Sequence, residues 1–131
     1  MVSTITRTAV TRLLLIVESD PLVRLAVADY LRECGYTVLE ATDSKEALAL
    51  LQSSADIRVA LVDVGSPAIL DGFALVQWIR REMPDTKVVT TAGIGRTAQT
   101  AGDLCAAGPM LRKPYHHQEL ERRIRQLLAE R

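Results

Sequence analysis

Short apolar runs recur five times along the chain, and between them the apolar positions switch to a helical period. The runs predict strands over about 12–17, 36–41, 57–63, 86–91 and 109–112. The first, third and fourth are apolar or β-branched nearly throughout, as in parallel strands covered on both faces. In the first intervening segment Val23, Val27, Tyr30, Leu31 and Cys34 follow a helical stripe that Gly35 ends. In the second, Asp43 is a cap with Glu46 reaching back, and Ala47, Leu48 and Leu51 point inward. The third carries Phe73, Val76, Ile79 and Met83 and stops at Pro84.

The fourth helix, predicted over about 95–107, is the weak one. It is built from Thr, Ala and Gln, and Gly102 in its middle costs about 1 kcal/mol relative to alanine. With few large side chains to dock it, this helix is expected to be the most mobile. The last helix carries Leu120, Ile124, Leu127 and Leu128 inward, with Glu121, Arg122 and Arg125 facing water.

Alternating strands and helices with right-handed crossovers predict an α/β fold, a doubly wound parallel sheet with helices on both faces. Such sheets carry their sites at the carboxyl ends of the strands. Four chemically suggestive groups fall there: Glu18-Ser19-Asp20 after the first strand, Asp63 ending the third, Thr91 ending the fourth, and Lys113 after the fifth.

Size and composition fit one globular domain. The 131 residues are 48% hydrophobic and 24% charged, with 16 basic and 16 acidic residues. A zero net charge argues against nucleic acid and against an anionic membrane surface as direct partners. The apolar runs are too short to span a bilayer. The first residues lack a secretory h-region, so a cytoplasmic location is expected, with Cys34 and Cys105 reduced and buried on helices. Residues 1–10 read as a loosely ordered extension to a single domain whose core is about 11–130.

Glu18, Asp20 and Asp63 are expected within a few ångströms of one another, an anionic cluster that needs a counter-ion. Hard oxygen ligands in a wet site suit Mg²⁺, which keeps several waters and takes one or two carboxylates. A metal there would polarise an incoming phosphoryl group for attack by Asp63, giving an aspartyl phosphate. Lys113 offers a compact positive charge to one phosphoryl oxygen and Thr91 a hydroxyl to another. A charge-assisted bond of that kind is worth about 1.5–3 kcal/mol. Formed only after phosphorylation, it would draw in the glycine-rich loop AGIG (92–95) and act as a switch.

The chain resembles the receiver domains of bacterial two-component response regulators, the chemotaxis-regulator-like superfamily. The resemblance covers residues 11–130 and rests on VESDPLVR (17–24), LVDVGSPAILDG (61–72), VVTTAG (88–93) and LRKPY (111–115). It implies a flavodoxin-like five-stranded sheet of order 2-1-3-4-5 with five helices. It also implies a phosphoacceptor at Asp63, served by a histidine kinase, a phosphotransfer protein or a small phosphodonor. Thr91 becomes the switch hydroxyl and Lys113 the phosphate contact, before a peptide bond that is often cis. Glu18, Asp63 and the Gly65 backbone carbonyl become the Mg²⁺ ligands, with Ser19 or Asp20 as further candidates. The switching face is the fourth helix, fifth strand and fifth helix, which serves a downstream partner or a homodimer. The domain is a signalling module rather than an enzyme in its own right.

Four features depart from the family pattern. Ser19 replaces the acid expected to ligate the metal directly, so Mg²⁺ should bind weakly and phosphorylation should be slow or lost. Met110 replaces the switch aromatic. The loop GSPAILDG (65–72) is one residue longer than usual. Gly65 and Gly93 stand where side chains that tune hydrolysis are common, so a phosphoaspartate should be long-lived.

The remaining candidates read blandly. His116 and His117 are expected to be solvated or capping, without zinc partners, and Trp78 to be packing. The leading function is a phosphorylation-controlled module without its own output domain, either stand-alone or part of a larger protein. The alternative is a pseudo-receiver, a phosphorylation-independent interaction module, favoured by Ser19 and Met110. A flavodoxin-type cofactor protein is disfavoured because Glu-Ser-Asp-Pro after the first strand repels a bare phosphate.

Overall fold

The computed structural model describes residues 13–54, 56–65, 72–93 and 110–130. The N-terminal extension, most of the 65–72 loop, the helix predicted over 95–107 and Cys105 lie outside them. The described elements run β1 Leu13–Val17, α1 Pro21–Glu33, β2 Thr37–Ala41, α2 Ser44–Ser53, β3 Ile57–Asp63, α3 Gly72–Glu82, β4 Lys87–Gly93, β5 Met110–Lys113 and α4 His117–Ala129. All strand pairings are parallel, in the order β2-β1-β3-β4-β5. This is the expected α/β class. Four helices are described, and the fifth falls on residues outside the description.

Strand alternation sorts the core into two layers. Leu15, Val17, Ala60, Val62, Val88 and Ala92 face α2 and α3, where Ala47, Leu51, Leu75, Val76 and Ile79 complete one cluster. Leu14, Ile16, Val59, Leu61 and Val89 face α1 and α4, meeting Val27, Ala28, Leu31, Leu120 and Ile124. Covering both faces of the sheet explains the nearly unbroken apolar runs. Each fully buried Leu or Ile contributes roughly 1.5–3 kcal/mol. Trp78 is half-buried against the first cluster, which agrees with a packing role.

The helix ends follow local chemistry. Asp20 caps α1, its carboxylate accepting from the Leu22 amide at 3.0 Å, and Pro21 occupies the first turn. Gly35, at φ 100°, ends α1: its amide bonds the Arg32 carbonyl (3.0 Å) and the Tyr36 amide bonds the Leu31 carbonyl (3.1 Å). Asp43 caps α2 by accepting from the Glu46 amide at 2.8 Å. Glu46 reaches back past the cap residue to the Thr42 amide and hydroxyl, each at 2.8 Å. That amide and hydroxyl hold its carboxyl below the usual range.

Three expectations are corrected in detail. Strand β4 runs to Gly93, so Thr91 sits inside the ladder and not at its end. Lys113 is the last residue of β5 and not the first one after it. Glu121 does not face water: Tyr36, brought round by the Gly35 turn, donates its hydroxyl to the Glu121 carboxylate at 2.7 Å.

Candidate functional site

The carboxyl ends of β1, β3, β4 and β5 converge. In register, Val17 lies beside Val62, and Asp63 beside Thr91. The last pair between β4 and β5 is Gly93 with Lys113. Asp63 is thus carried at the end of a strand whose four preceding residues are apolar and buried, and it is only 3% exposed. Beside it, Glu18 is 4% exposed, one residue beyond the β1 ladder.

Lys113 joins the two acids. Its ammonium donates to Asp63 Oδ2 at 2.9 Å and to Glu18 Oε1. The other oxygens are also occupied: Asp63 Oδ1 accepts from the Gly65 amide at 3.0 Å, and Glu18 Oε2 from the Asp20 amide at 3.0 Å. Two buried carboxylates survive because each accepts a backbone donor and shares one cation. Burial raises the Glu18 carboxyl above its ordinary range, against the pull of Lys113. Burial also depresses the Lys113 ammonium, but its bonds to Glu18 and Asp63 outweigh that and leave it raised.

The acidic trio predicted from the sequence does not form. Asp20 turns its carboxylate to the α1 amides, while Glu18 turns inward. Among the described residues no group of three or more His, Cys, Asp and Glu is placed to hold a metal. Capping explains the split, because the free amides at the start of α1 compete for the nearest short carboxylate. Ser19 lies between them.

Thr91 is buried and its carbonyl accepts from the Val64 amide at 2.9 Å, tying β4 to the chain just past Asp63. Gly72 opens α3 against the same end of β3, where a β-carbon would stand 3.1 Å from Val64 Cα. The Lys113–Pro114 peptide bond is cis. Met110 begins β5 beside Thr90, and its side chain lies outside the described residues.

Two features escaped the sequence reading. Tyr115 packs into the α1–α4 core, and burial together with the Glu18 and Asp63 charges pushes its hydroxyl well up. Arg24 donates to the Glu18 carbonyl at 2.9 Å and to Glu40 at 3.2 Å. The available signal was a basic residue one turn inside α1 with an acid on the facing edge strand. His116 stands at the α4 cap position without a side-chain capping bond, and His117 meets the Tyr30 ring at 5.4 Å.

A family model for the response regulator receiver domain matches residues 14–125. The chain belongs to that family. As a receiver domain it is a module of two-component signalling. It is 34% identical over 116 residues to the probable transcriptional regulator ycf27 of Cyanophora paradoxa, covering 88% of this chain and 47% of that protein. It is 31% identical over 111 residues to the uncharacterized transcriptional regulatory protein YrkP of Bacillus subtilis, with 85% and 47% covered. The chain therefore spans about half the length of the curated relatives it matches. Among solved structures, the receiver domain of NtrX from Brucella abortus superposes with a TM-score of 0.78 at 25% identity, covering 90% of this chain and 99% of that one. No helix among the described residues is long and apolar enough to cross a membrane.

Proposed function

We propose that this receiver accepts a phosphoryl group on Asp63 from a histidine kinase or a phosphotransfer protein, and that the charge change alters a protein-binding face. The observation that carries this is the Lys113 ammonium bridging buried Asp63 and Glu18 at one end of the sheet. An Asp63 carboxylate oxygen attacks phosphorus. The bond from phosphorus to the donor's nitrogen or oxygen breaks, and the leaving group departs with that electron pair. Lys113, already at Asp63, then neutralises a phosphoryl oxygen and loses its grip on the free carboxylate. Thr91, next to Asp63 in register, supplies the hydroxyl that follows the new charge.

Glu18, Asp63 and the Gly65 carbonyl form an all-oxygen donor set that suits Mg²⁺. When bound, the ion would offset repulsion between Asp63 and the phosphoryl oxygens. The face expected to respond is β5, α4 and the 95–107 segment, with Met110 at the switch position. A downstream protein, an output domain or a second copy would read it. Gly65 and Gly93 leave no side chain to orient a hydrolytic water, so the phosphoaspartate should persist.

One observation favours a second reading, a pseudo-receiver that binds partners without phosphorylation. Among the described residues only two carboxylates, Glu18 and Asp63, share Lys113, and Asp20 is spent on the helix cap. Intact mass after incubation with acetyl phosphate, with and without Mg²⁺, separates the two. A Mg²⁺-dependent phosphoryl adduct absent from Asp63→Asn supports the receiver. No adduct from folded protein at any Mg²⁺ concentration supports the pseudo-receiver.

A further inference from the structure

Every hydrogen-bonding group of Glu18 is committed. Its amide donates to the Ala41 carbonyl at 3.0 Å, and its two carboxylate oxygens accept from Lys113 and from the Asp20 amide. Its carbonyl lies one residue beyond the β1 ladder and accepts from Arg24 Nη1 at 2.9 Å. Arg24 is itself aimed: its Nε donates to Glu40 Oε1 at 3.2 Å, and its side chain is 14% exposed. Glu40 Oε2 accepts from Arg32 at 3.1 Å, and that same Arg32 nitrogen reaches the Val38 carbonyl at 2.9 Å. A cluster outside the acceptor site thus ties α1 and the edge strand β2 to the peptide that turns Glu18 inward.

We propose that Arg24 is a positioning residue for the acceptor site: its guanidinium locks the Glu18 carbonyl, and so keeps the Glu18 carboxylate on Lys113. The inference deepens the reading of Asp63 as a phosphoacceptor and, for its effect on phosphorylation, rests on that reading. The guanidinium is suited to the task because its nitrogens serve two acceptors in fixed directions at once. A lysine ammonium at this position keeps the charge and the pair with Glu40 but cannot span both acceptors. Released at its carbonyl, the Glu18 peptide can rotate, which swings the carboxylate off Lys113 and off the Asp20 amide together.

The test compares Arg24→Lys with Glu40→Gln in the full chain. Arg24→Lys is expected to slow adduct formation from acetyl phosphate by about tenfold, the usual size of effect when a residue behind a site is lost. Glu40→Gln removes the charge of the pair but leaves an oxygen for Arg24 Nε, and its rate should match wild type. A role limited to charge pairing predicts the reverse order, and that order overturns the proposal. Amide hydrogen exchange at Asp20 supplies an arm that needs no phosphodonor. Its protection should fall in Arg24→Lys, fall partly in Glu40→Ala, and hold in Glu40→Gln. Unchanged Asp20 exchange in both Arg24→Lys and Glu40→Ala overturns the proposal even if wild type takes no phosphoryl group. An unphosphorylated wild type with the expected exchange pattern overturns only the acceptor reading.

Discussion

Replacing Lys113 by methionine removes the cation that Glu18 and Asp63 share among the described residues and leaves both acids where water barely reaches them. The two residues are 4% and 3% exposed. Breaking a buried pair from one side costs about 3–5 kcal/mol, because the remaining charge is stranded. The lower end applies, since the Lys113 side chain is itself 24% exposed. Each carboxylate also keeps a backbone donor at 3.0 Å, Gly65 for Asp63 and Asp20 for Glu18. The expected loss is therefore about 3 kcal/mol at pH 7.5. Its pH dependence identifies the cause. In wild type, burial already raises the Glu18 carboxyl above 4.5, and the Lys113 bond opposes that rise. Without Lys113 the opposition vanishes, and the neighbouring Asp63 charge adds to the rise. A carboxyl raised in the folded state favours folding fully below its unfolded value. That contribution is lost as pH climbs through the folded value. Lys113→Met should thus be worst at neutral pH and should close on wild type as pH falls towards 4.5. Urea unfolding followed by fluorescence of Trp78, the single tryptophan, measures this at pH 7.5 and pH 5. A loss below about 1 kcal/mol, the scale of an exposed pair, would refute the argument. So would an equal loss at both pH values.

Three further outcomes are expected. Asp20→Ala should lower stability by about 1 kcal/mol through the lost cap, yet still form the Asp63 adduct; a folded variant without an adduct would show that Asp20 acts in the site. Gly35→Ala should cost about 1–2 kcal/mol by denaturant unfolding, since α1 ends at a φ that L side chains resist. Ser19→Asp should tighten Mg²⁺ binding by at least about tenfold in calorimetry, because it adds a third carboxylate beside two, and no tightening would mean that position 19 does not face the metal.

The strands were legible because both sheet faces are covered, which forces apolar residues at successive positions in β1 and β3. The caps of α1 and α2 were legible because capping is local. The Glu46 amide and Asp43, or Tyr36 and Leu31, lie within one turn or so of chain. Long-range polar partners were not. Glu121 bonds Tyr36 across 85 residues, and no periodicity marks a solvent-side glutamate as half-buried. The ends of β4 and β5 were misjudged by one or two residues because Ala92 and Gly93 carry little strand preference of their own. They are held by pairing with Arg112 and Lys113.

The site shows where residue type stops being informative. Glu18 and Asp20 are both acids, two positions apart, and either can cap a helix or face a lysine. What separates them is reach and direction. Asp20 immediately precedes Pro21, the first residue of α1, and its short carboxylate reaches the Leu22 amide without leaving the turn. Glu18 is still in line with β1, its amide bonded to the neighbouring strand at Ala41, so its longer side chain leaves along the sheet edge towards β3 and β5. The same backbone bond leaves its carbonyl to Arg24, which explains why a residue on the edge-strand side of α1 bears on the charge at Asp63. The two acids of one short segment therefore become a cap and one half of a buried pair, with neutral Ser19 between them. That division limits the permanent negative charge at Lys113 to two carboxylates. It is why the response of this receiver to Mg²⁺, more than the presence of Asp63, decides between a phosphorylated switch and a silent interaction module.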